Sequence, residues 1–324
     1  MSAPTLADSF ESHRGHLLSA AYRLTGSVTD AEDAVQEAWL RLAGADADRI
    51  DDLRAWLTTV VGRLCLDRLR SATARRERYV GQWLPEPIVT DLTPSAMPDP
   101  LESVVRQEDN RLAALIVLDT LTPDQRVAFV LHDGFGVPFG EIADVLSVSV
   151  ASARQLASRA RRAVADAPPP VPDAEHTEAV TRLMTAMARG DLDAVLDALH
   201  PDAITIGDAN GTTRTAVNVI TGADHTARFF LGLAHKYGLE EFLAAAQPAL
   251  VNGQLGFVSH GSPGDDTHPG FPGRVTGFTV RDGRVWAAYD IANPEKLSGI
   301  RLSAQPDVPP ADPSPTARGT RRPN

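Results

Sequence analysis

Apolar residues recur every three or four positions through the first part of the chain, a spacing that predicts amphipathic helices. Three such stretches cover residues 5–25, 30–42 and 53–70. Thr29 and Glu32 have the spacing of a capping box, which would start the second helix at this point. The three stretches together predict a small all-helical unit.

A second apolar pattern runs through residues 121–166. Between Phe139 and Leu146 the apolar side chains fall on one helical face, and Ser149 can cap the helix that follows. That next helix has an alanine-rich side and an arginine-rich side. The pattern predicts a helix-turn-helix that enters a DNA groove, because arginine contacts both phosphates and guanine edges. A solvated surface helix in a bundle is the alternative.

Two proline-rich segments interrupt the periodic pattern and predict linkers. The first contains an apolar island, Trp83-Leu84-Pro85-Glu86-Pro87, which we expect to dock on another part of the chain. After the second linker, helical stretches are followed by strand-like runs joined at Asn252-Gly253 and Asp282-Gly283. These dipeptides are strong hairpin signals, so the C-terminal part is predicted to be α+β.

Composition narrows the class of protein. The 324 residues are 43% hydrophobic, with a net charge of −11, which argues against indiscriminate binding to nucleic acid. Residues 54–78 nevertheless carry seven arginines against two acidic residues, a local net charge of +5. The single cysteine, Cys65, is predicted to be a small core residue. With no bilayer-length apolar run and no signal-peptide pattern, we expect a cytoplasmic protein.

Candidate chemistry lies mainly on the third predicted helix. Arginine interleaved with Trp56 suits single-stranded DNA, because bases stack on rings while phosphates meet cations; Trp56 as a core residue is the alternative. An enzyme in the C-terminal part would need an acid–base pair. The candidates for it are Asp202, Asp208, His225, His235 and Asp290. No paired spacing identifies a catalytic site and no ligand spacing identifies a metal site, so we expect no enzyme, no metal and no cofactor.

The first 166 residues resemble an RNA polymerase sigma factor of the extracytoplasmic-function (ECF) type. Three sequence motifs carry this resemblance, and they occur in the family's order. They are the run from Asp30 to Trp39, Trp56-Leu57 with Asp67-Arg68-Leu69-Arg70, and Leu121-Thr122-Pro123. The chain departs from the pattern at Arg63, where many members have an asparagine.

Residues 174–300 resemble a SnoaL-like domain, a cone of helices around a curved sheet. This fusion resembles the sigma-J-like subfamily, and two motifs support it: the Trp83 island and Asn293-Pro294-Glu295-Lys296-Leu297. The subfamily's glycine-rich turn is replaced here by Asp208-Ala209-Asn210-Gly211-Thr212. The resemblance implies a multidomain fold, with two all-α sigma domains followed by an α+β cone. The implied divisions are region 2 at 1–72, a linker at 73–105, region 4 with its helix-turn-helix at 106–166, a linker at 167–173, the SnoaL-like domain at 174–300 and a disordered tail at 301–324.

The resemblance also implies roles for individual residues. Those facing the β′ clamp of core polymerase would be Asp30, Asp33, Gln36 and Glu37. Those holding the melted −10 element would be Arg54, Trp56, Arg63, Arg68 and Arg70. Those on the helix that reads the −35 element would be Ser149, Ser152, Arg154, Gln155, Ser158, Arg159, Arg161 and Arg162. A regulatory contact would join Trp83, Leu84, Pro85, Glu86 and Pro87 to Asn293, Pro294, Glu295, Lys296 and Leu297.

The expected function is that of an alternative sigma factor whose C-terminal domain sets its activity. Its partners would be core RNA polymerase, through the β′ clamp and the β flap, and promoter DNA. The C-terminal domain could also bind a small-molecule ligand. The competing hypothesis is a ligand-responsive helix-turn-helix regulator that does not act through core polymerase; it accounts for residues 121–300 but not for the acidic helix at 30–42.

Overall fold

The computed structural model describes residues 5–46, 49–76, 79–92, 104, 110–165, 167 and 169–300. Its main helices are α1 (Leu6–Thr25), α2 (Val28–Ala43), α3 (Leu53–Arg76), α4 (Leu112–Asp119), α5 (Pro123–Phe129), α6 (Phe139–Leu146), α7 (Val150–Ala163), α8 (Asp173–Ala188), α9 (Leu192–Ala198), α10 (Ala223–Tyr237), α11 (Leu239–Ala244) and α12 (Pro294–Leu297). Its strands are β1 (Val89–Thr90), β2 (Leu199–Asp208), β3 (Ile220–Thr221), β4 (Ala246–Val251), β5 (Gln254–Ser259), β6 (Ser262–Gly264), β7 (Pro269–Phe271), β8 (Arg274–Arg281) and β9 (Arg284–Ile291).

Helices α1, α2 and α3 pack against one another around aliphatic side chains. Helix α1 starts at a capping box between Thr5 and Asp8 and ends at Gly26, whose φ of 68° suits glycine. Helix α3 continues to Arg76, six residues past its predicted end, because no proline or glycine interrupts it there. Cys65 is completely buried, as predicted, and burial raises the pKa of its thiol to about 12.

The predicted capping box at Thr29 is wrong. Helix α2 begins at Val28, and Ser27 is its N-cap, accepting a hydrogen bond from the Asp30 N–H at 3.1 Å. The remaining free N–H groups meet a carboxylate from a distant part of the chain: Glu86 Oε2 lies 2.8 Å from the Val28 nitrogen. Glu86 thus supports a helix that starts at Val28, earlier in the sequence than predicted. The local spacing of Thr29 and Glu32 could not reveal this contact.

The helix-turn-helix consists of α6 and α7, supported by α5. Pro138 is the N-cap of α6. Ser147 makes the turn with a φ of 56°, and Ser149 caps α7 by accepting from the Ser152 N–H at 3.1 Å, as predicted. The inward side of α7 consists of alanines with no exposed surface, which allows close packing on α5 and α6.

The C-terminal domain contains a seven-stranded sheet in the order β1-β4-β5-β8-β9-β2-β3. Both predicted hairpins are present: Asn252-Gly253 joins β4 to β5, and Asp282-Gly283 joins β8 to β9, with positive φ at all four residues. Helices α8 to α11 cover one face of this sheet. The linker and α4 cover the other face, where Leu84 and Leu112 join the core.

Strand β1 belongs to the linker, although it forms the edge of the C-terminal sheet. Val89 and Thr90 pair antiparallel with Val251 and Leu250 of β4. The predicted fold class, two helical sigma domains followed by an α+β cone, is confirmed by this arrangement and by the relationships described below. The predicted tail at 301–324 lies outside the described residues.

Candidate functional sites

The acidic face of α2 carries the four residues expected to meet polymerase. Asp33 and Gln36 are exposed, whereas Asp30 and Glu37 are half-buried. Arg68 of α3 lies among the three carboxylates, with closest nitrogen–oxygen distances of 3.8, 3.9 and 3.8 Å to Asp30, Asp33 and Glu37. The guanidinium therefore holds the acidic residues on one surface and is only 22% exposed itself.

The other residues expected at the −10 element occupy different surroundings. Arg63 is exposed, and Trp56 is half-buried against the core of α1 to α3, so it combines a packed side with an accessible one. Arg54 lies 2.9 Å from His16 Nδ1. Arg70 binds Asp124 of α5 at 3.0 Å. This ion pair connects α3 to the second helical unit, which consists of α4 to α7.

Six of the eight residues expected at the −35 element are exposed on α7 or at its cap, and Ser152 and Ser158 are half-buried. Arg161 donates to Asp133 at 2.8 Å, and the Arg154 guanidinium lies 5.7 Å from the centre of the Phe139 ring. The remaining arginines of α7, Arg159 and Arg162, are also exposed. A polar, positively charged face is thus available on this helix.

The two helical units are packed directly against each other in this structure. The Thr59 hydroxyl donates to Glu141 of α6 at 2.9 Å, and Gly62 leaves so little space that a Cβ there would meet Leu131 at 2.9 Å. Arg126 of α5 is buried and donates to the Arg23 carbonyl oxygen at 3.3 Å and to Asp119 at 3.0 Å. The apolar residues of the two helical units form one continuous core.

The two motif segments expected to form a regulatory contact meet at Asp208. This carboxylate has no exposed surface; it accepts from Lys296 Nζ at 2.6 Å and from the Leu84 N–H at 2.7 Å. The Lys296 ammonium also donates to the Leu84 carbonyl oxygen and lies 4.3 Å from the centre of the Trp83 ring. Hydrogen bonds, an ion pair and a cation–π contact therefore attach the linker to the C-terminal domain.

Tyr79 adds a second link at the same place. Its hydroxyl donates to Asp208 and accepts from Asn293 Nδ2 at 2.9 Å. Burial, followed by the hydrogen bond to Asp208, raises the pKa of this phenol well above its ordinary value. The turn Asp208–Thr212 keeps a single glycine, Gly211, and its first residue, Asp208, is the acceptor at which the linker docks.

The other side of the linker binds the first helical unit. Besides capping α2, Glu86 accepts from the Ser27 hydroxyl at 3.0 Å, and its N–H donates to the Gly26 carbonyl oxygen at 2.8 Å. The Tyr22 hydroxyl donates to the Glu86 carbonyl oxygen at 2.6 Å. Burial raises the pKa of the Glu86 carboxyl, and its hydrogen bonds oppose that shift.

Asn252 joins three parts of the molecule through a single side chain. Its Nδ2 donates to the Tyr22 hydroxyl and to the Asn110 carbonyl oxygen, both at 2.8 Å, and its Oδ1 accepts from the Ile88 N–H at 3.1 Å. The sequence marked this residue only as a hairpin turn. Its second role had no local signal, because its partners are distant in sequence.

The residues considered for acid–base chemistry are not gathered in one place. His225 and His235 are exposed on α10, and Asp202 is exposed at β2. Asp208 faces the linker, whereas Asp290 lines a cavity inside the cone. Among the described residues, no group of three His, Cys, Asp or Glu side chains is placed to hold a metal ion. None of the described helices is both long and apolar enough to cross a membrane.

Comparison with known proteins decides the family. Residues 9–75 match Sigma-70 region 2, and residues 112–164 match Sigma-70 region 4. The ECF RNA polymerase sigma factor SigJ of Mycobacterium tuberculosis is 57% identical over 92% of this chain and 96% of its own length. The chain belongs to the ECF sigma factors. The resemblance found in the motifs is thereby confirmed.

One further relative of this sigma factor and one solved structure extend the match along most of the chain. The probable sigma factor SigI of the same organism is 34% identical over 90% of this chain and 94% of its own length. The crystal structure of SigJ matches with a TM-score of 0.79 at 54% identity, covering 91% of this chain and 99% of SigJ. The likeness extends into the C-terminal domain. Because both sigma regions and the full-length relatives match, the protein is an alternative sigma factor that directs RNA polymerase to promoters, in a non-enzymatic family.

Proposed function

We propose that the acidic face of α2 binds the β′ clamp of core polymerase and that region 4 binds the β flap. The clamp contact is supported by the exposure of Asp33 and Gln36 and by the half-buried carboxylate of Glu37 on the same face of the helix. Arg63 and the accessible side of Trp56 then meet the melted −10 strand, and α7 enters the major groove at the −35 element. Arg68 and Arg70 serve first to position the protein surfaces, since both are paired with carboxylates here.

The C-terminal domain, in this proposal, controls whether region 2 and region 4 can separate. The observation that carries it is the chain of contacts from Lys296 through Asp208 and Leu84 to Glu86, which ends at the first turn of α2. The described linker residues, 79–92, bind both the C-terminal domain and region 2, and in this proposal these contacts keep region 4 packed against α3. The −35 and −10 elements lie apart on the promoter, so both can be read only after this packing opens.

Run-off transcription with purified core polymerase tests the proposal. The full chain is compared with a chain ending at residue 300 and with a chain lacking residues 174–324. The first truncation is expected to keep the activity of the full chain, and the second to change it. Identical transcripts from all three proteins would remove the regulatory role while leaving the sigma-factor assignment intact.

A core-polymerase pull-down of the full chain checks the sigma-factor activity directly, because a ligand-responsive regulator that works without polymerase would not co-elute. Action in the cytoplasm follows in this proposal from the location of RNA polymerase.

His225, His235 and Asp290 are not gathered in one place, which supports a C-terminal domain that binds a ligand and does not catalyse a reaction.

A further inference from the structure

A cavity lies inside the cone, on the face of the sheet opposite the linker. Its volume is about 80 Å³. Its walls are mainly aromatic rings and thioethers, among them Met184, Met187, Phe230 and Phe257. Such a lining suits a compact apolar group.

Five polar side chains also line this cavity, of which Thr276 is half-buried. The other four are at least nine-tenths buried: Thr205, Ser259, Arg274 and Asp290 are 1%, 7%, 6% and 9% exposed. One atom of each has no hydrogen-bond partner in the protein: Thr205 Oγ1, Ser259 Oγ, Arg274 Nε and Asp290 Oδ1. An unpartnered buried polar atom destabilises the folded protein, and native proteins keep few of them. Four on one cavity wall indicate a site built for a ligand.

The charges at this wall define what the ligand can be. Asp290 Oδ2 accepts from Arg274 Nη1 at 2.8 Å and from the Thr215 hydroxyl at 2.7 Å, so the carboxylate and the guanidinium neutralise each other. What remains free is one acceptor, Asp290 Oδ1, and one donor, Arg274 Nε. An anion would be repelled by Asp290 and a cation by Arg274, and burying either unpaired is costly. A neutral head group with both a donor and an acceptor matches the site.

We propose that the cone binds a small neutral molecule with an amide-like head and a compact apolar body. The amide N–H donates to Asp290 Oδ1, and the amide oxygen accepts from Arg274 Nε. The hydroxyls of Thr205 and Ser259 take the remaining hydrogen bonds of the head group. The apolar body lies against the phenylalanine and methionine side chains, and the cavity volume limits it to a few carbon atoms.

The site is also next to the place where the linker docks. Asp290 of β9 is the register partner of Gly207 of β2, and the following residue, Asp208, points to the opposite face and binds the linker. A ligand at Asp290 therefore lies across the sheet from the Lys296 ion pair. Binding itself does not depend on the proposed regulation, because it is measured on the full chain without polymerase.

Three probes of equal size and different charge test the proposal: isobutyramide, isobutyrate and isobutyramidine. Binding is followed by ligand-observed NMR with the full-length protein. Isobutyramide is expected to bind with a Kd of the order of 1 mM, a value reasonable for a six-heavy-atom ligand. The anion and the cation are expected to bind at least about tenfold more weakly, because each places a buried charge beside one of the same sign.

Two matched substitutions distinguish the site from a general effect. Thr205→Val keeps the shape of the side chain but removes a cavity hydroxyl, so it should weaken isobutyramide at least about threefold while leaving the fold as stable or more stable. Thr226→Val removes another buried, unpartnered hydroxyl outside the cavity lining and should leave the affinity unchanged. Equal binding of all three probes, no binding of the amide up to about 20 mM, or equal effects of the two substitutions would each overturn the proposal.

Discussion

Lys296 and Asp208 form an ion pair with 2.6 Å between Nζ and Oδ2, and the Asp208 side chain is completely buried. The same Asp208 oxygen accepts from the Leu84 N–H, and the same ammonium donates to the Leu84 carbonyl oxygen. The backbone of Leu84, which lies 124 positions before Asp208, therefore binds both members of the ion pair. Neither charge can be removed without leaving the other buried beside the linker.

Lys296→Met should break this contact and free the linker. Leaving the Asp208 carboxylate buried without its positively charged partner is expected to lower the free energy of unfolding by about 3–5 kcal/mol, measured as a lower urea midpoint. Basal run-off transcription should rise, because region 4 can then separate from α3. The control is Lys236→Met, which changes the exposed lysine of α10 and should alter neither quantity. Unchanged transcription in a folded Lys296→Met protein would contradict the proposed restraint.

Glu86→Ala and Glu86→Gln should have different effects. Alanine removes the acceptor at the start of α2 and should cost about 1 kcal/mol of stability. Because the folded-state pKa of Glu86 is raised above its ordinary value of 4.5, its contribution to stability is full below that value and is lost as the pH rises through the folded-state pKa. Glutamine keeps an acceptor and cannot ionise, so urea unfolding of Glu86→Gln should show a smaller loss over that pH range than the unsubstituted protein.

His16 should make stability depend on pH in the opposite sense. Burial, followed by the charge of Arg54, lowers the pKa of this imidazole from 6.5 to about 4. The stability it contributes is therefore complete above pH 6.5 and is lost as the pH falls towards 4, by about 1–2 kcal/mol once solvent screening is allowed for. His16→Gln should flatten the unfolding curve in this window, whereas His235→Gln, at an exposed histidine, should not.

Asp33→Arg should weaken binding to core polymerase by about tenfold, because it reverses a charge on the proposed clamp surface. Glu32→Arg makes the same change at the preceding exposed position of α2, which turns away from that surface. Affinity measured by fluorescence anisotropy at two salt concentrations should fall for the first variant and stay nearly constant for the second. Equal losses for the two would mean that net charge, and not this face, controls binding.

The local sequence was sufficient to predict those structural features that depend on residues nearby in the chain. The helical periodicity, the Ser149 cap and both Asn-Gly and Asp-Gly hairpins were predictable because their partners lie within a few residues. The start of α2 was mispredicted because its decisive acceptor, Glu86, lies 58 residues from Val28. The short strand β1 in a proline-rich linker had no periodic signal of its own, since its pairing depends on β4.

The candidate surfaces were predictable to a similar extent. Charge and helical spacing identified the α2 and α7 faces, and the motifs identified both sides of the linker contact. Arg68 was grouped with residues expected on DNA, but its position among three carboxylates depends on how α2 and α3 pack. The bridging role of Asn252 and the polar wall of the cavity require three-dimensional proximity that no local pattern encodes.

Strand β1 pairs with a strand that is synthesised much later. Val251 follows Val89 by 162 residues, which a ribosome adds in about 8–32 s at 5–20 residues per second. Region 4 is completed at residue 164, within that interval, so regions 2 and 4 exist for a time without the domain that restrains them in the proposed function. In that proposal every newly made molecule passes through an unrestrained period, whose length is set by the rate of translation.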